Sequence, residues 1–196
     1  MNTVLNNNLF LVKEKLGIFK AANSYDILNP ESGEIIMNST ETDLGFFTKM
    51  FRFTKYKAMT PFNVQVTAND GKKVIGLKRG VAIFRSDVEV FDEKEHLIGT
   101  FKQKFWSMGG KFEIFDKQGK QVCTLQGKWT GWDFKFMKDT QEIAQVSKKW
   151  AGIGKELFTT ADNYILEIKD TVPQDDSIRE LIFAAVLCID MVLKER

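Results

Sequence analysis

The sequence predicts a mainly β protein, a closed antiparallel β-barrel of about 12 strands around a central, hydrophobic C-terminal helix. Three observations lead to this fold. A unit of strand, polar turn and returning strand recurs along the chain; the pattern becomes helical near the C-terminus; and 196 residues, 43% of them hydrophobic, can bury a core without disulfides. We therefore treat residues 1–196 as one domain, with 1–8 as a flexible tail and 177–196 as the central helix.

Five successive hairpins account for most of the predicted strands. In each, a short run of β-branched or aromatic residues precedes a turn rich in Asp, Asn or Gly, and a second run returns. The five first runs begin at Tyr25, Phe62, Val88, Phe112 and Phe134. Further strands are predicted at 10–12 and 164–168. A count of about twelve is too high for one flat open sheet of this size, so a barrel or a sandwich follows.

The hydrophobic pattern changes completely at the C-terminus. Ser177 is placed to cap a helix, and Glu180 stands where it completes a capping box. Residues 181–189 are apolar on every side, so protein or lipid must surround them. They rise only about 14 Å, well short of a bilayer core of about 30 Å, before Asp190 interrupts the run. Protein is the better surrounding, which favours a helix inside a barrel and no transmembrane span.

The formal net charge of +2 conceals an uneven distribution. Residues 44–86, called the basic segment below, hold nine basic residues against Asp70 alone. Such an excess suits an anionic partner, although lysines that protect sheet edges are an alternative. The chief candidates for an anion site are interleaved with aromatic residues: Lys49, Arg52, Lys55 and Lys57. The secondary candidates flank a predicted turn at 69–71: Lys72, Lys73, Lys78 and Arg79.

Catalytic patterns are weak in this sequence. His96, the only histidine, lies in a polar turn, Cys123 lies on a predicted strand and Cys188 lies in the apolar helix. No glycine-rich phosphate loop stands between a strand and a helix. The cysteines have no metal-binding or disulfide-framework spacing, and the residues at the start of the sequence do not predict a secretion leader. The sequence therefore predicts a non-enzymatic protein of the cytoplasm.

A set of motifs in the second half of the chain resembles the phospholipid scramblases. QVSKKW at 145–150, TTADNY at 159–164 and LCIDM at 187–191 follow one another in the order and at the approximate spacing of that family. The resemblance covers most of 10–193 and is strongest over 141–193. It implies the tubby-like fold, a twelve-stranded barrel around a C-terminal helix that scramblases share with tubby and LURP-one-related proteins. It also implies a membrane-associated, lipid-binding protein.

The resemblance is incomplete in two places. The Pro-rich extension and the palmitate-accepting cysteine clusters of eukaryotic scramblases have no counterpart in this sequence, so no acyl anchor is expected. The proposed calcium segment of the family is matched by residues 160–171, where both acidic ends are Thr. Its remaining oxygen donors are Asp162, Asn163, Glu167 and Asp170. A strand at 164–168 would keep those oxygens from converging on one ion, so we expect no metal site and no cofactor, with calcium as the only candidate.

Two hypotheses of function follow. The first is a non-enzymatic scramblase-family barrel, peripheral to the membrane, that binds anionic phospholipid or the membrane surface through the basic segment. The alternative is a soluble regulatory or scaffold domain that binds a protein or, less in keeping with the residues, a nucleic acid. Lipid cosedimentation distinguishes the two hypotheses.

Overall fold

The computed structural model describes residues 2–15, 24–42, 45, 48, 60–81, 87–103, 111–128, 133–148 and 163–193. In this part of the chain twelve strands form a closed barrel in which every neighbouring pair is antiparallel and β12 returns to pair with β1. The predicted closed antiparallel barrel is confirmed. The strands are β1 (Leu9–Glu14), β2 (Ser24–Leu28), β3 (Ile35–Glu41), β4 (Phe62–Ala68), β5 (Lys73–Arg79), β6 (Asp87–Phe91), β7 (Leu97–Gln103), β8 (Phe112–Asp116), β9 (Gln121–Lys128), β10 (Asp133–Lys138), β11 (Gln141–Ser147) and β12 (Asn163–Ile168).

The five hairpin turns in the described part of the chain share two structural features. The turn after each of β2, β4, β6, β8 and β10 contains one residue with positive φ, and the ladder shifts register close to that turn. In the β8–β9 turn this residue is Gly119, which has no Cβ to clash. In the β6–β7 turn it is Glu95, with φ of 63°. The five predicted hairpins are therefore confirmed, each closed by a similar turn.

The barrel has two distinct ends. The five hairpin turns, residues 29–34, 69–72, 92–96, 117–120 and 139–140, share one end, which we call the turn end. The strand ends that flank the remaining connections define the opposite end, which we call the loop end. This distinction positions the candidate sites, because β3 and β5 end at the loop end and β4 begins there.

A C-terminal helix, α1 (Ile178–Leu193), starts at the turn end and fills the barrel. Every side chain from 181 to 189 is buried, and the helix packs on β5, β6, β7 and β12. Phe183 meets Phe10 edge to face, with ring centroids 5.3 Å apart. Complete burial of one such side chain contributes about 1.5–3 kcal/mol, so the helix is the centre of the core. The predicted central helix is confirmed; the side chain of Asp190 lies outside the described residues.

The start of α1 differs from the sequence prediction. The backbone N–H of Ile178 donates to the Asp176 carboxylate at 2.9 Å, so Asp176 caps the helix in place of the predicted capping box. The Glu180 side chain is instead buried, with one carboxylate oxygen that has no hydrogen-bond partner. Burial raises the pKa of Glu180 to about 7, and the negative charges of Asp92 and Glu93 act in the same direction.

Residues 2–8 are packed onto the barrel, whereas the sequence analysis expected a flexible tail over 1–8. Thr3–Asn6 form a short 3-10 turn, and Leu5 is completely buried in the main core. The buried guanidinium of Arg179 donates to the carbonyl of Leu5 at 2.8 Å, to that of Asn7 at 2.7 Å and to the side chain of Asn8 at 2.8 Å. The local sequence of this Asn-rich stretch could not reveal a donor that lies 171 to 174 residues further along the chain.

Candidate functional site

A pocket of about 340 Å³ opens at the loop end beside β3, β4 and β5. Its polar lining comes from Thr42, Thr48, Asn63, Lys78 and Arg79, and its apolar lining from Pro61 and Phe62. None of the described residues that line it carries a carboxylate. Arg79 is the buried cation at this pocket, whereas the ammonium of Lys78 lies beside Phe91 and Glu95.

Arg79 is the buried cation of this pocket, with only 4% of its surface exposed. Its register partner on β4 is Phe62, and the guanidinium carbon lies 4.6 Å from the centroid of that ring. A guanidinium nitrogen donates to the carbonyl of Thr60 at 2.6 Å. Ring stacking and this hydrogen bond fix the plane of the guanidinium, so its direction is set before any ligand arrives.

Lys78 is among the residues that line the pocket, but its ammonium lies on the side toward the turn end. Its ammonium lies 4.7 Å from the centroid of the Phe91 ring and 3.5 Å from a Glu95 carboxylate oxygen. Glu95 also pairs with Lys73, and the hydrogen bond from Lys73 is the main cause that lowers the pKa of Glu95. Since the side chains of Lys78 and Glu95 are 45% and 58% exposed, their pairing is weak and open to exchange.

The four described members of the predicted anion site do not share one end of the barrel. Lys72 and Lys73 lie at the turn end, where Lys72 pairs with Asp70 at 2.8 Å and Lys73 pairs with Glu95. Lys78 and Arg79 lie at the loop end and line the pocket. The two pairs lie at different ends because β5 runs between them, with Lys73 at its start and Arg79 at its end.

The chief candidates, Lys49, Arg52, Lys55 and Lys57, lie outside the described residues. Thr42 and Thr60, the described residues that flank this stretch, both lie at the loop end, where the Thr42 N–H donates to the Asn63 carbonyl at 2.8 Å. Sequence reasoning missed the pocket contributions of Thr42 and Asn63. No local signal marks them, because only the pairing of β3 with β4 brings them to Arg79.

The weak calcium candidates are spread over both ends of β12. Asn163 begins the strand at the loop end and is buried, while Asp170 follows it at the turn end and accepts a hydrogen bond from Asn8 at 2.5 Å. Glu167 pairs with Lys169 at 2.8 Å. Asp162 lies outside the described residues. Within the described ranges, no group of three or more metal-ligating side chains comes together.

The nucleophile candidates have environments that oppose reactivity. Burial raises the pKa of the Cys123 thiol to about 12, far from the range in which a thiolate forms at neutral pH. Cys188 is buried in α1. His96 is exposed in the β6–β7 turn, where a ring nitrogen lies 3.2 Å from Asp92. Neither cysteine therefore has the character of a catalytic nucleophile.

A second pocket, of about 300 Å³, lies at the turn end beside the start of α1. Its charged lining mixes three carboxylates with two ammonium groups: Asp116, Asp139, Asp176, Lys120 and Lys138. This pocket lacks the cationic character of the pocket at the loop end. Separately, none of the helices in the described ranges combines the length and the apolar character needed to cross a bilayer.

Comparison with known proteins gives a consistent result. The scramblase family model matches residues 6–196. A protein of Saccharomyces cerevisiae named altered inheritance rate of mitochondria protein 25 is 24% identical over 221 residues, which cover 96% of this chain and 67% of that protein. A phospholipid scramblase family protein of Schizosaccharomyces pombe is 24% identical over 219 residues, covering 98% and 56%. Human phospholipid scramblase 2 is 24% identical over 198 residues, covering 93% and 64%.

The chain is shorter than these relatives. It spans 67%, 56% and 64% of their respective lengths, so each relative has further sequence outside the matched part. No solved structure matches the chain.

Proposed function

Because the chain belongs to the scramblase family, whose model covers residues 6–196, we propose that it binds anionic phospholipid at a membrane surface and does so without covalent chemistry. Two of the three relatives named above carry the phospholipid scramblase name, which makes phospholipid the first ligand to consider. The proposal gives the basic segment the role of contacting headgroups at the loop end. Assignment to the wider tubby-like group and to the cytoplasm stays a prediction.

The observation that supports the proposal is that two portions of the basic segment are attached at the loop end, whereas Lys72 and Lys73 lie at the turn end. Lys78 and Arg79 line a pocket at the loop end, and the stretch with Lys49, Arg52, Lys55 and Lys57 is flanked by Thr42 and Thr60 at that same end. Basic residues attached to one end can act on one lipid surface. Each Lys or Arg near an anionic surface contributes about 1 kcal/mol, and several together give measurable binding.

The test is cosedimentation with phosphatidylcholine vesicles that contain or lack phosphatidylserine. We expect binding to the anionic vesicles only, weakening as salt rises, because surface charges are screened over about 8 Å at physiological ionic strength. A variant with Glu at 49, 52, 55 and 57 should lose binding and keep the melting temperature of the wild type.

A matched control reverses four exposed lysines of the turn end, namely Lys94, Lys117, Lys120 and Lys138. It changes the net charge equally and should retain most of the binding. Equal loss in both variants would show that net charge alone attracts the protein. No binding by the unmodified protein at low salt would reject the lipid hypothesis in favour of a soluble regulatory or scaffold domain.

A further inference from the structure

We propose that the loop end of the barrel is the face that docks on an anionic phospholipid bilayer, that Val81 enters the apolar layer of the bilayer there, and that the turn end points away from the membrane. This inference rests on the proposed function and deepens it, because it assigns an orientation and an apolar contact. Attraction of the basic segment to headgroups requires neither.

The connections at the two ends of the barrel differ in charge. At the loop end the strands are joined by residues 15–23, 42–61, 80–86, 104–111, 129–132 and 148–162. The sequences of these six connections hold twelve basic residues against three acidic ones. The five hairpin turns of the turn end, together with residues 169–177 between β12 and α1, hold five basic residues against ten acidic ones. An anionic surface therefore attracts the loop end and repels the turn end.

Aromatic residues are distributed just as unevenly. The six connections at the loop end contain thirteen Phe, Trp and Tyr residues, and these include all four tryptophans of the chain, Trp106, Trp129, Trp132 and Trp150. The connections at the turn end contain no Phe, Trp or Tyr. These aromatic residues lie outside the described residues, but the described strands on either side attach each connection to the loop end. Trp and Tyr are enriched where proteins meet the interface of a bilayer, so this composition favours the loop end as the membrane face.

Val81 is the most exposed large hydrophobic residue in the described part of the chain, with 68% of its surface accessible. It follows β5 at the loop end, next to Gly80, which has open space where a Cβ would lie. Gly80 also lines the pocket at the loop end together with Pro61 and Phe62. An apolar side chain that is exposed to water gains free energy when it enters the acyl chains of a bilayer.

The turn end provides two matched controls for Val81. Ile35 begins β3 and Leu97 begins β7, and they are 39% and 38% exposed. The turn before Ile35, residues 29–34, holds two acidic residues and no basic one, and the turn before Leu97, residues 92–96, holds three acidic residues against one lysine. Insertion of either side chain would bring these carboxylates against anionic headgroups, which Coulomb repulsion opposes.

The experiment attaches an environment-sensitive fluorophore to the full chain through Val81→Cys, Ile35→Cys or Leu97→Cys. Cys123 and Cys188 are buried, so the added cysteine is the one that is labelled. The vesicles contain phosphatidylcholine and phosphatidylserine, with spin labels on the acyl chains that quench a fluorophore in the apolar layer. We expect a blue shift and quenching at position 81 and neither at positions 35 and 97.

A second measurement determines how much Val81 contributes to binding. Val81→Asn should weaken binding to the same vesicles about tenfold, and the difference should persist at high salt, because burial of apolar surface is not screened. Leu97→Asn is the control and should leave the affinity unchanged. Melting temperatures establish that both variants are folded.

The possible failures are distinguishable. Binding to anionic vesicles without quenching at position 81, or with equal quenching at 81, 35 and 97, would leave the proposed function standing and overturn the orientation. Equal affinities of the wild type and Val81→Asn would overturn the insertion of Val81. Absence of vesicle binding by the unmodified protein at low salt would reject both proposals together.

Discussion

The pocket described at the loop end and the one described at the turn end have similar volumes, about 340 and 300 Å³, but differ in the charged residues that line them. Among the described residues, the lining at the loop end includes Lys78 and Arg79 and no carboxylate, while the lining at the turn end includes two lysines and three aspartates. The difference follows from how hairpins are made. Asp116 accepts the backbone N–H groups of Gln118 and Lys120 in its turn, and Asp92 does the same for Lys94 and His96. Tight turns thus bring carboxylates to the turn end for structural reasons.

Two buried arginines in the described part of the chain also lie at opposite ends of the barrel. Arg179 at the turn end is completely buried, and its donors are used by carbonyl and amide oxygens of residues 5–8 and of Val172. Arg79 at the loop end is almost as buried but forms part of a pocket wall. A buried charge that the protein surrounds with its own acceptors stabilises the fold, and Arg79 also has such an acceptor in the Thr60 carbonyl, at 2.6 Å.

The largest expected effect on stability comes from removing the buried charge of Arg179. Arg179→Met leaves at least four buried or half-buried oxygen acceptors without their donor and should lower the free energy of unfolding by about 3–5 kcal/mol. Urea unfolding measures this loss. Vesicle binding by the folded variant should be unchanged, since the lesion lies at the turn end. A decrease of less than about 1 kcal/mol in the free energy of unfolding would show that Arg179 does not hold residues 5–8 on the barrel.

The second expected effect is a pH dependence of stability caused by Glu180, which also lies at the turn end. The pKa of Glu180 is about 7 in the folded protein against 4.5 for an ordinary glutamate. Between these values the native state holds a proton that the unfolded state has lost, so the stability contributed by this group falls as pH rises from 4.5 to 7.

Urea unfolding at several pH values, compared with Glu180→Gln, isolates this contribution from that of the other carboxylates. The wild type should lose up to about 3 kcal/mol relative to the variant across the interval. A parallel pH dependence in the two proteins would show that Glu180 titrates normally.

The third effect distinguishes a packed glycine from an open one. A Cβ on Gly99 would overlap the Phe115 carbonyl and lie 2.7 Å from a methyl group of Leu181 in α1. Gly99→Ala should therefore cost about 1–3 kcal/mol, because the strand and the helix cannot both keep their places. Gly80→Ala, at the loop end with nothing within 4 Å, is the control and should leave the melting temperature nearly unchanged. Equal effects would indicate that the helix does not press on β7.

The smallest expected effect is that of calcium. Asn163 and Asp170 lie at opposite ends of β12, and Asp170 is held by Asn8. Because a ligand stabilises only the state that it occupies, millimolar calcium should shift the melting temperature by less than about one degree. A saturable rise with calcium but not with magnesium would show that the segment at 160–171 forms a site after all.

Local sequence determined the hairpins and the helix. The run Asn69-Asp70-Gly71 between two alternating stretches predicts a turn because Gly71 tolerates positive φ and the Asp70 side chain accepts the Lys72 N–H at 3.1 Å. The uninterrupted apolar run at 181–189 predicts a buried helix because no face of it can meet water. These features depend on interactions between residues a few positions apart, so they can be predicted from local sequence.

Tertiary structure decided which charges are available. In the sequence, Lys72, Lys73, Lys78 and Arg79 form one basic group, but strand alternation turns Arg79 inward and Glu95 of another hairpin takes up Lys73. Likewise the Asn-rich start of the chain has the composition of a flexible tail, but Arg179 donates hydrogen bonds to its carbonyl groups. Closure of the barrel brings residues of different hairpins together, and the strength of a charge pair depends on that distance and on burial. Strand register and barrel closure depend on the whole chain, so a local sequence pattern cannot predict them.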